Sequence, residues 1–355
     1  MSKIPISVCI IAKNEEKYLE ECLKKLQPYG FEIIVTDTGS TDSTKEIAQK
    51  YADKVLDFAW IDDFSAARNF CAENASNNWI LALDCDEYVN SIDIQVLRIL
   101  MQKFARHVGV IRLKNLVQRK EEMGYGVDDV VRFYNRNYYT FIGAVHEQVT
   151  MKEENRREEV LNCFLMPMEL IHHGYALDAE GMRAKQERNL KLLYKEIENA
   201  TDDPYIYFQA GQSELILKNL EKAVDLFRKG LAMNPSIEKL YVQMMVISLA
   251  KAYDMLDCES EAVAVMERYV EQCNTAKFMF TYASVLYDNK QFIKALLIYV
   301  KTTMLKDIDT LGEDLMRCYD HIIELYTKMG NLEMAAIFQN KFEACKREKE
   351  RVVGC

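Results

Sequence analysis

The sequence predicts an α/β domain followed by an all-α array of helical hairpins. Three observations carry that prediction. Through about residue 150, short apolar runs alternate with helix-patterned segments, the sign of a parallel sheet covered on both faces. After about residue 178 the strand-like runs stop. In their place a hairpin pattern recurs, with a small residue at Ala223, Ala262, Ala295 and Ala335, at intervals of 39, 33 and 40 residues.

Taken in order, ISVCIIA (6–12) reads as a buried strand. EEKYLEECLKKLQPYG (15–30) has helical spacing at Tyr18, Leu19, Cys22, Leu23 and Leu26, and stops at Pro28 and Gly30. EIIVTD (32–37) is a second strand, and the polar residues 41–45 open the helix TKEIAQKYA (44–52). KVLDFAW (54–60) is a short third strand, DDFSAARNFCAENAS (62–76) a helix, and WILALD (79–84) a fourth strand. Ligands of such sheets bind outside the carboxyl ends of the strands. Asp37 and Asp84 each end a strand, so both should face one crevice.

EGMRAKQERNLKLLYKEIENA (180–200) is a long helix. Beyond it, YFQAGQSELILKNLEKAVDLFRKGLAMNP (207–235) puts Gly211, Ala223, Phe227 and Pro235 at tetratricopeptide-repeat positions, a unit of about 34 residues. A hairpin of this kind cannot bury its own face, so neighbours stack into a solenoid. The expected organisation is an α/β domain over 1–177, a connecting helix over 178–203 and helical repeats over 204–355.

The 355-residue chain is 49% hydrophobic, enough for a substantial core. Its net charge of −10 argues against a nucleic-acid binder, so an anionic nucleotide would need a local cation. Ten cysteines are scattered without a C-x-x-C pair, as expected of reduced thiols in a cytoplasmic protein. No apolar run reaches the roughly 20 residues of a membrane span, so stable membrane insertion is not expected.

The stretch ILALDCDEYVN (80–90) runs from a buried strand into Asp84, Asp86 and Glu87. Alternation at a strand end would put Asp84 and Asp86 on one side, where two carboxylates repel unless a cation lies between them. Oxygen ligands of this type suit Mg²⁺ or Mn²⁺, which keep positions open for phosphate.

ISVCIIAKNEEKYLEECLKKL, EIIVTDTGSTDST, DDFSAARNF and NWILALDCDEYV, in that order, resemble the nucleotide-sugar domain of bacterial family-two glycosyltransferases of GT-A fold. RFYNRNYYTFIGAVHEQV and LIHHGY extend the likeness to about residue 175. With the repeats, the chain is most like the subgroup that carries a tetratricopeptide tail and includes the sublancin-type peptide S-glycosyltransferases. The resemblance implies an inverting, metal-dependent transfer from a UDP-sugar. It makes Asp37 the nucleobase contact, although a strand-end Asp also serves as an Asx-turn or helix cap. Ala12 and Glu15 would meet the nucleoside, and Arg68 would lie near the nucleotide unless it makes a surface ion pair. Asp84 would reach the ribose or a metal-bound water, and Asp86 would ligate the metal and so serve catalysis. Among His146, His172 and His173, the implied further ligand is His172, giving a metal set of Asp86, Asp84 and His172.

Many family-two enzymes carry a paired acidic motif on the acceptor side, and this sequence has His146–Glu147 there instead. Glu147 is the candidate base, with Arg132 its structural partner in the alternative reading. Asp128 and Asp129 are its rivals, in GYGVDD, which reads as a loop. The expected partners are a UDP-sugar and a peptide or protein side chain (Ser/Thr or Cys), with acceptor docking or self-association through the repeats. The rival expectations are a surface or lipid-linked glycan acceptor, and a non-catalytic repeat scaffold with a vestigial enzyme domain. The basic run KREKER (346–351) reads as a solvated helix end.

Overall fold

The computed structural model describes residues 4–119, 122–152, 161–174, 179–198 and 202–353. The chain forms two compact units, Met1–Gln118 with Val127–Ala176, and Arg119–Gly126 with Leu177–Cys355. The expected domain boundary at 177 and Tyr175 of the HHGY stretch lie outside the described residues. No described helix is long and apolar enough to cross a membrane.

The first unit is built on β1 (Ile6–Ala12), β2 (Glu32–Asp37), β3 (Lys54–Asp57) and β4 (Trp79–Leu83), which run parallel in the order β3-β2-β1-β4. Alternation along β1 sorts its side chains between two cores. Ile6, Val8 and Ile10 pack with Leu19, Cys22, Leu23 and Leu26 of α1 (Leu19–Leu26). Cys9 packs on the other side with Ile34, Ile80 and Cys71, the last from α3 (Phe64–Glu73). After α1 the chain turns through a short 3₁₀ segment that includes Pro28 and leaves at Gly30, whose φ of 66° suits a residue without Cβ. The other crossover helix is α2 (Thr44–Tyr51).

The sheet is mixed beyond β4. It continues through β7 (Glu122–Asn135), β6 (Val108–Arg119), β11 (Met168–His172) and β5 (Glu87–Ile92), with β10 (Cys163–Leu165) beside β6. The pairs β4–β7 and β11–β5 are antiparallel, which the parallel reading did not anticipate. The helix α4 (Ile94–Lys103) follows β5, and β8 (Tyr139–Ile142) pairs antiparallel with β9 (Gln148–Met151).

GYGVDD is no loop: it lies within β7. Gly124 and Gly126 have no positive φ and run extended, so they punctuate nothing. Asp128 accepts from Asn115 Nδ2 at 2.8 Å and Asp129 from Arg112 Nε at 3.0 Å, both partners from β6.

The second unit is helical. After α5 (Ala179–Glu198) come α6 (Pro204–Ile216), α7 (Leu220–Ala232), α8 (Leu240–Met255), α9 (Glu259–Tyr269), α10 (Ala276–Asp288), α11 (Phe292–Thr302), α12 (Asp314–Lys328) and α13 (Leu332–Val353). They pack as consecutive hairpins, α6 with α7, α8 with α9, α10 with α11 and α12 with α13. Ala223, Ala262, Ala295 and Ala335 each fall in the second helix of a hairpin and are buried. A Cβ on Gly211 of α6 would run into the ring of Phe227 on α7, which is why this crossing takes glycine. KREKER continues α13, and Lys349 in it pairs with Glu313 at 2.8 Å.

Candidate active site

The parallel register brings four strand ends together. Ala12 pairs with Asp37, Asp37 with Asp57, and Ile10 with Leu83, one residue before Asp84. The loops that follow are laced to each other. Ala12 O accepts from Thr38 N–H at 2.9 Å, Asn14 N–H donates to Ser40 Oγ at 3.0 Å, and Glu15 N–H donates to Thr44 Oγ1 at 2.7 Å. Asn14 takes a φ of 56° there, a conformation its short polar side chain tolerates.

Asp37 is 4% exposed and does two things with its two oxygens. Oδ1 accepts from Gly39 N–H at 2.9 Å and Ser40 N–H at 3.0 Å, an Asx-turn. Oδ2 is buried without a hydrogen-bond partner among the described residues. Burial opposes the charge, yet the Ser40 and Gly39 donors outweigh it and hold the carboxyl below its usual range. A buried acceptor left over on an ionised carboxylate asks for a donor from a ligand. The capping duty falls to Asp42, which accepts from Thr44 N–H at 3.0 Å.

The sequence reading gave Asp84 a metal cation as its partner; the structure gives it two guanidiniums. Arg68 Nη2 donates to Asp84 Oδ1 at 2.5 Å and Arg132 Nη2 to Oδ2 at 2.9 Å. Burial alone would raise the Asp84 carboxyl, but Arg132 and Arg68 hold it far below the carboxylate range. β4 ends at Leu83, and Asp84–Glu87 form a turn, so strand alternation does not apply. Asp86 faces His172, whose Nε2 lies 3.2 Å from Asp86 Oδ2.

Arg68 is 5% exposed, so it is no surface ion pair. Its Nε donates to Glu147 Oε1 at 2.6 Å, while its Nη1 is buried without a partner among the described residues. The neighbouring Asn69 bonds Phe141 N–H and O at 2.9 Å each, so α3 is latched to β8, the strand leading to Glu147. Glu147 therefore belongs to the same cluster as Asp84, through Arg68 rather than Arg132. His146 takes a φ of 54° beside it. His173 stacks against Tyr88, ring centroids 4.3 Å apart.

The histidine environment tests whether these residues suit a divalent cation. Asn115 Nδ2 donates to Asp128, which orients the amide and leaves its Oδ1 facing His172 Nδ1 at 2.8 Å. An amide oxygen only accepts, so Nδ1 carries a hydrogen; burial opposes a second proton on the ring, but Asp86 outweighs it and raises the pKa, so Nε2 faces Asp86 across a proton that a cation could replace. Two acceptors facing each other at 3.2 Å need a proton or a cation between them. Asn115 fixes the ring of His172 through Nδ1, as the outer partner of a histidine ligand does. A Cβ on Gly174 would collide with Asp86 Oδ2 and approach His172 Nε2 within 2.8 Å, so glycine keeps this cradle open. Asp86 and His172 are donors of a type a divalent cation takes, while among the described residues no group of three or more His, Cys, Asp or Glu could hold one.

Arg132, Glu87 and Asn115 join the cluster without a site role in the sequence reading, where Arg132 appears only as an alternative partner of Glu147. Arg132 and Asn115 reach the site only through strands added by the mixed half of the sheet. Glu87 was in view but without a role.

Strand ends that gather these acidic and basic side chains on an α/β sheet have the architecture of a GT-A nucleotide-sugar domain. Residues 7–153, most of the first unit, match the model of Glycosyl transferase family 2. The chain is 29% identical over 241 residues to a TPR repeat-containing protein of Synechococcus elongatus, covering 64% of this chain and 56% of that one. It is 28% identical over 236 residues to the SPbeta prophage-derived glycosyltransferase SunS of Bacillus subtilis, covering 65% and 54%. It is 30% identical over 128 residues to the lipopolysaccharide core biosynthesis glycosyltransferase LpsC of Rhizobium meliloti, covering 35% and 46%. The chain thus spans about half the length of the curated relatives it matches.

Proposed function

We propose that the protein is an inverting, metal-dependent glycosyltransferase that moves a hexose or N-acetylhexosamine from a UDP-sugar to a Ser/Thr or Cys side chain of a peptide or protein. The observation that carries this reading is His172 Nε2 facing the Asp86 carboxylate at 3.2 Å beside Gly174, where a Cβ would clash with both. Mn²⁺ or Mg²⁺ is the cation that suits it, held by Asp86 and His172. When bound, the cation neutralises the diphosphate as it leaves.

The chain's own residues do the rest. Asp37 Oδ2 takes a donor from the nucleobase, with Ala12 and Glu15 in the loop beside it. Asp84, anchored by Arg68 and Arg132, keeps lone pairs for a ribose hydroxyl. The acceptor attacks the anomeric carbon on the face opposite UDP; the new bond to oxygen or sulfur forms as the bond to the diphosphate breaks. Glu147, tied to Arg68, is the acceptor-side carboxylate in reach of the cluster and takes the acceptor proton. The helical unit supplies the surface for acceptor docking or self-association. The peptide acceptor follows the resemblance of the whole chain to glycosyltransferases with a tetratricopeptide tail; the likeness to a lipopolysaccharide core biosynthesis glycosyltransferase favours a glycan acceptor as the second reading. Asp37, Asp84 and Asp86 are all present, which speaks against a vestigial domain.

The test is calorimetry of UDP binding with Mn²⁺ and with EDTA. Tighter binding with Mn²⁺, and slow hydrolysis of a UDP-sugar without acceptor, are the expected results. Equal affinity in both would remove the metal from the reading.

A further inference from the structure

The acidic turn after β4 is closed twice. Glu87 N–H donates to Asp84 O at 3.2 Å, and Asp84 N–H donates to Glu87 Oε2 at 3.0 Å. Asp86 lies inside that turn, and its carbonyl accepts from His173 N–H at 2.9 Å. Glu87 is 1% exposed, and a carboxylate so buried needs a charged or strongly donating partner. Arg132 is that partner. Its Nη2 lies 3.4 Å from Glu87 Oε1, and the same nitrogen reaches Asp84 Oδ2 at 2.9 Å. Arg132 stands next to Phe133, which pairs with Leu81 of β4, so the sheet itself delivers the guanidinium to the turn.

We propose that Arg132 is a positioning residue for the donor diphosphate. By bridging Glu87 and Asp84 it locks the turn in the form that sets Asp86 against His172. The inference rests on the nucleotide reading above and assigns Arg132 no contact with reacting atoms. It separates two halves of donor binding. The nucleoside half depends on Asp37, on the loops after β1 and β2, and on Asp84, which Arg68 anchors independently of Arg132. The diphosphate half depends on the turn that Arg132 holds.

The experiment titrates the full chain with uridine, and with UDP in the presence of Mn²⁺ or EDTA. For Arg132→Met the Mn²⁺-dependent gain in UDP affinity should fall about 10–100-fold, the scale seen when a partner that orients a metal ligand is removed. Uridine affinity should stay within about 3-fold, since Asp37 is untouched and Arg68 still anchors Asp84. One nitrogen makes both contacts, so Arg132→Lys should restore most of the gain. Arg132→Met alone strands a buried Glu87. The double variant Arg132→Met/Glu87→Gln removes both charges, keeps an amide oxygen for Asp84 N–H, and should still lose the gain. The inference is overturned if the methionine variants keep wild-type Mn²⁺-dependent affinity, or if Arg132→Lys is as impaired as Arg132→Met. It is also overturned if uridine and UDP binding fall together in both methionine variants, the mark of a merely structural residue. A wild-type protein whose UDP affinity ignores Mn²⁺ overturns the cation reading first, and this inference with it.

Discussion

At the scale of single residues, the site is decided by where each second atom of a polar group goes. Asp37 spends Oδ1 on an Asx-turn and keeps Oδ2 buried without a partner. Asp37→Asn can keep the turn while placing a donor where an acceptor stood. Uridine affinity should fall about 10–100-fold with little change in melting temperature, the size of one buried, charge-assisted hydrogen bond. Calorimetry with a thermal melt checks both halves; unchanged affinity would leave Asp37 a turn residue only. Glu32 shows the opposite case, a carboxylate fully committed inside the fold. Burial opposes its charge, but Ser7, Ser76 and Lys54 outweigh that and hold its pKa at about 2, against 4.5 when unperturbed. The folded value is the lower one. The stabilisation is therefore complete above about pH 4.5 and is lost as pH falls towards 2. Glu32→Gln should lower stability at pH 7 by about 1–3 kcal/mol and flatten the acid limb over that window. Urea unfolding at several pH values measures it, and an unchanged acid limb would contradict the assignment.

At the scale of elements, packing overrides intrinsic preference in the first hairpin of the repeats. Gly211 sits inside α6, where Ala would favour the helix by about 1 kcal/mol. Its missing Cβ is what lets Phe227 close on it. Overpacking costs about 1–3 kcal/mol, so sterics should win and Gly211→Ala should destabilise. A higher melting temperature would show that the ring yields easily. Element boundaries tell a related story. β1 and β2 are legible to the residue, because a buried parallel strand reads as an unbroken apolar run. GYGVDD is misread because glycine marks a turn only where a positive φ is required, and none is here.

At the scale of the whole molecule, the division into units does not follow the chain. Arg119–Gly126 groups with the helical unit although it lies between stretches of the first. Within the second unit, Glu313 N–H donates to Tyr125 O at 3.3 Å. A chain ending at Ala176 keeps every candidate site residue but loses the partners of that segment. It should melt below the full chain yet still bind uridine. Loss of uridine binding in a soluble truncated form would show that the first unit does not fold without the second.

The sequence by itself determined the alternation of strands and helices, the hairpin repeat, and the candidates Asp37, Arg68, Asp84, Asp86, Glu147 and His172. These are local properties: apolar runs, spacing, and side chains at strand ends. Tertiary structure alone decided who faces whom. Asp84 and Asp86 are two residues apart, yet a turn sends one to Arg68 and Arg132 and the other to His172. Arg132 comes from a strand that pairs antiparallel with β4, and His172 from one that pairs antiparallel with β5. Pairing between strands so distant in sequence depends on the burial of both faces of the whole sheet. No window of residues contains it, so the partners of the acidic turn appear only when the sheet is assembled.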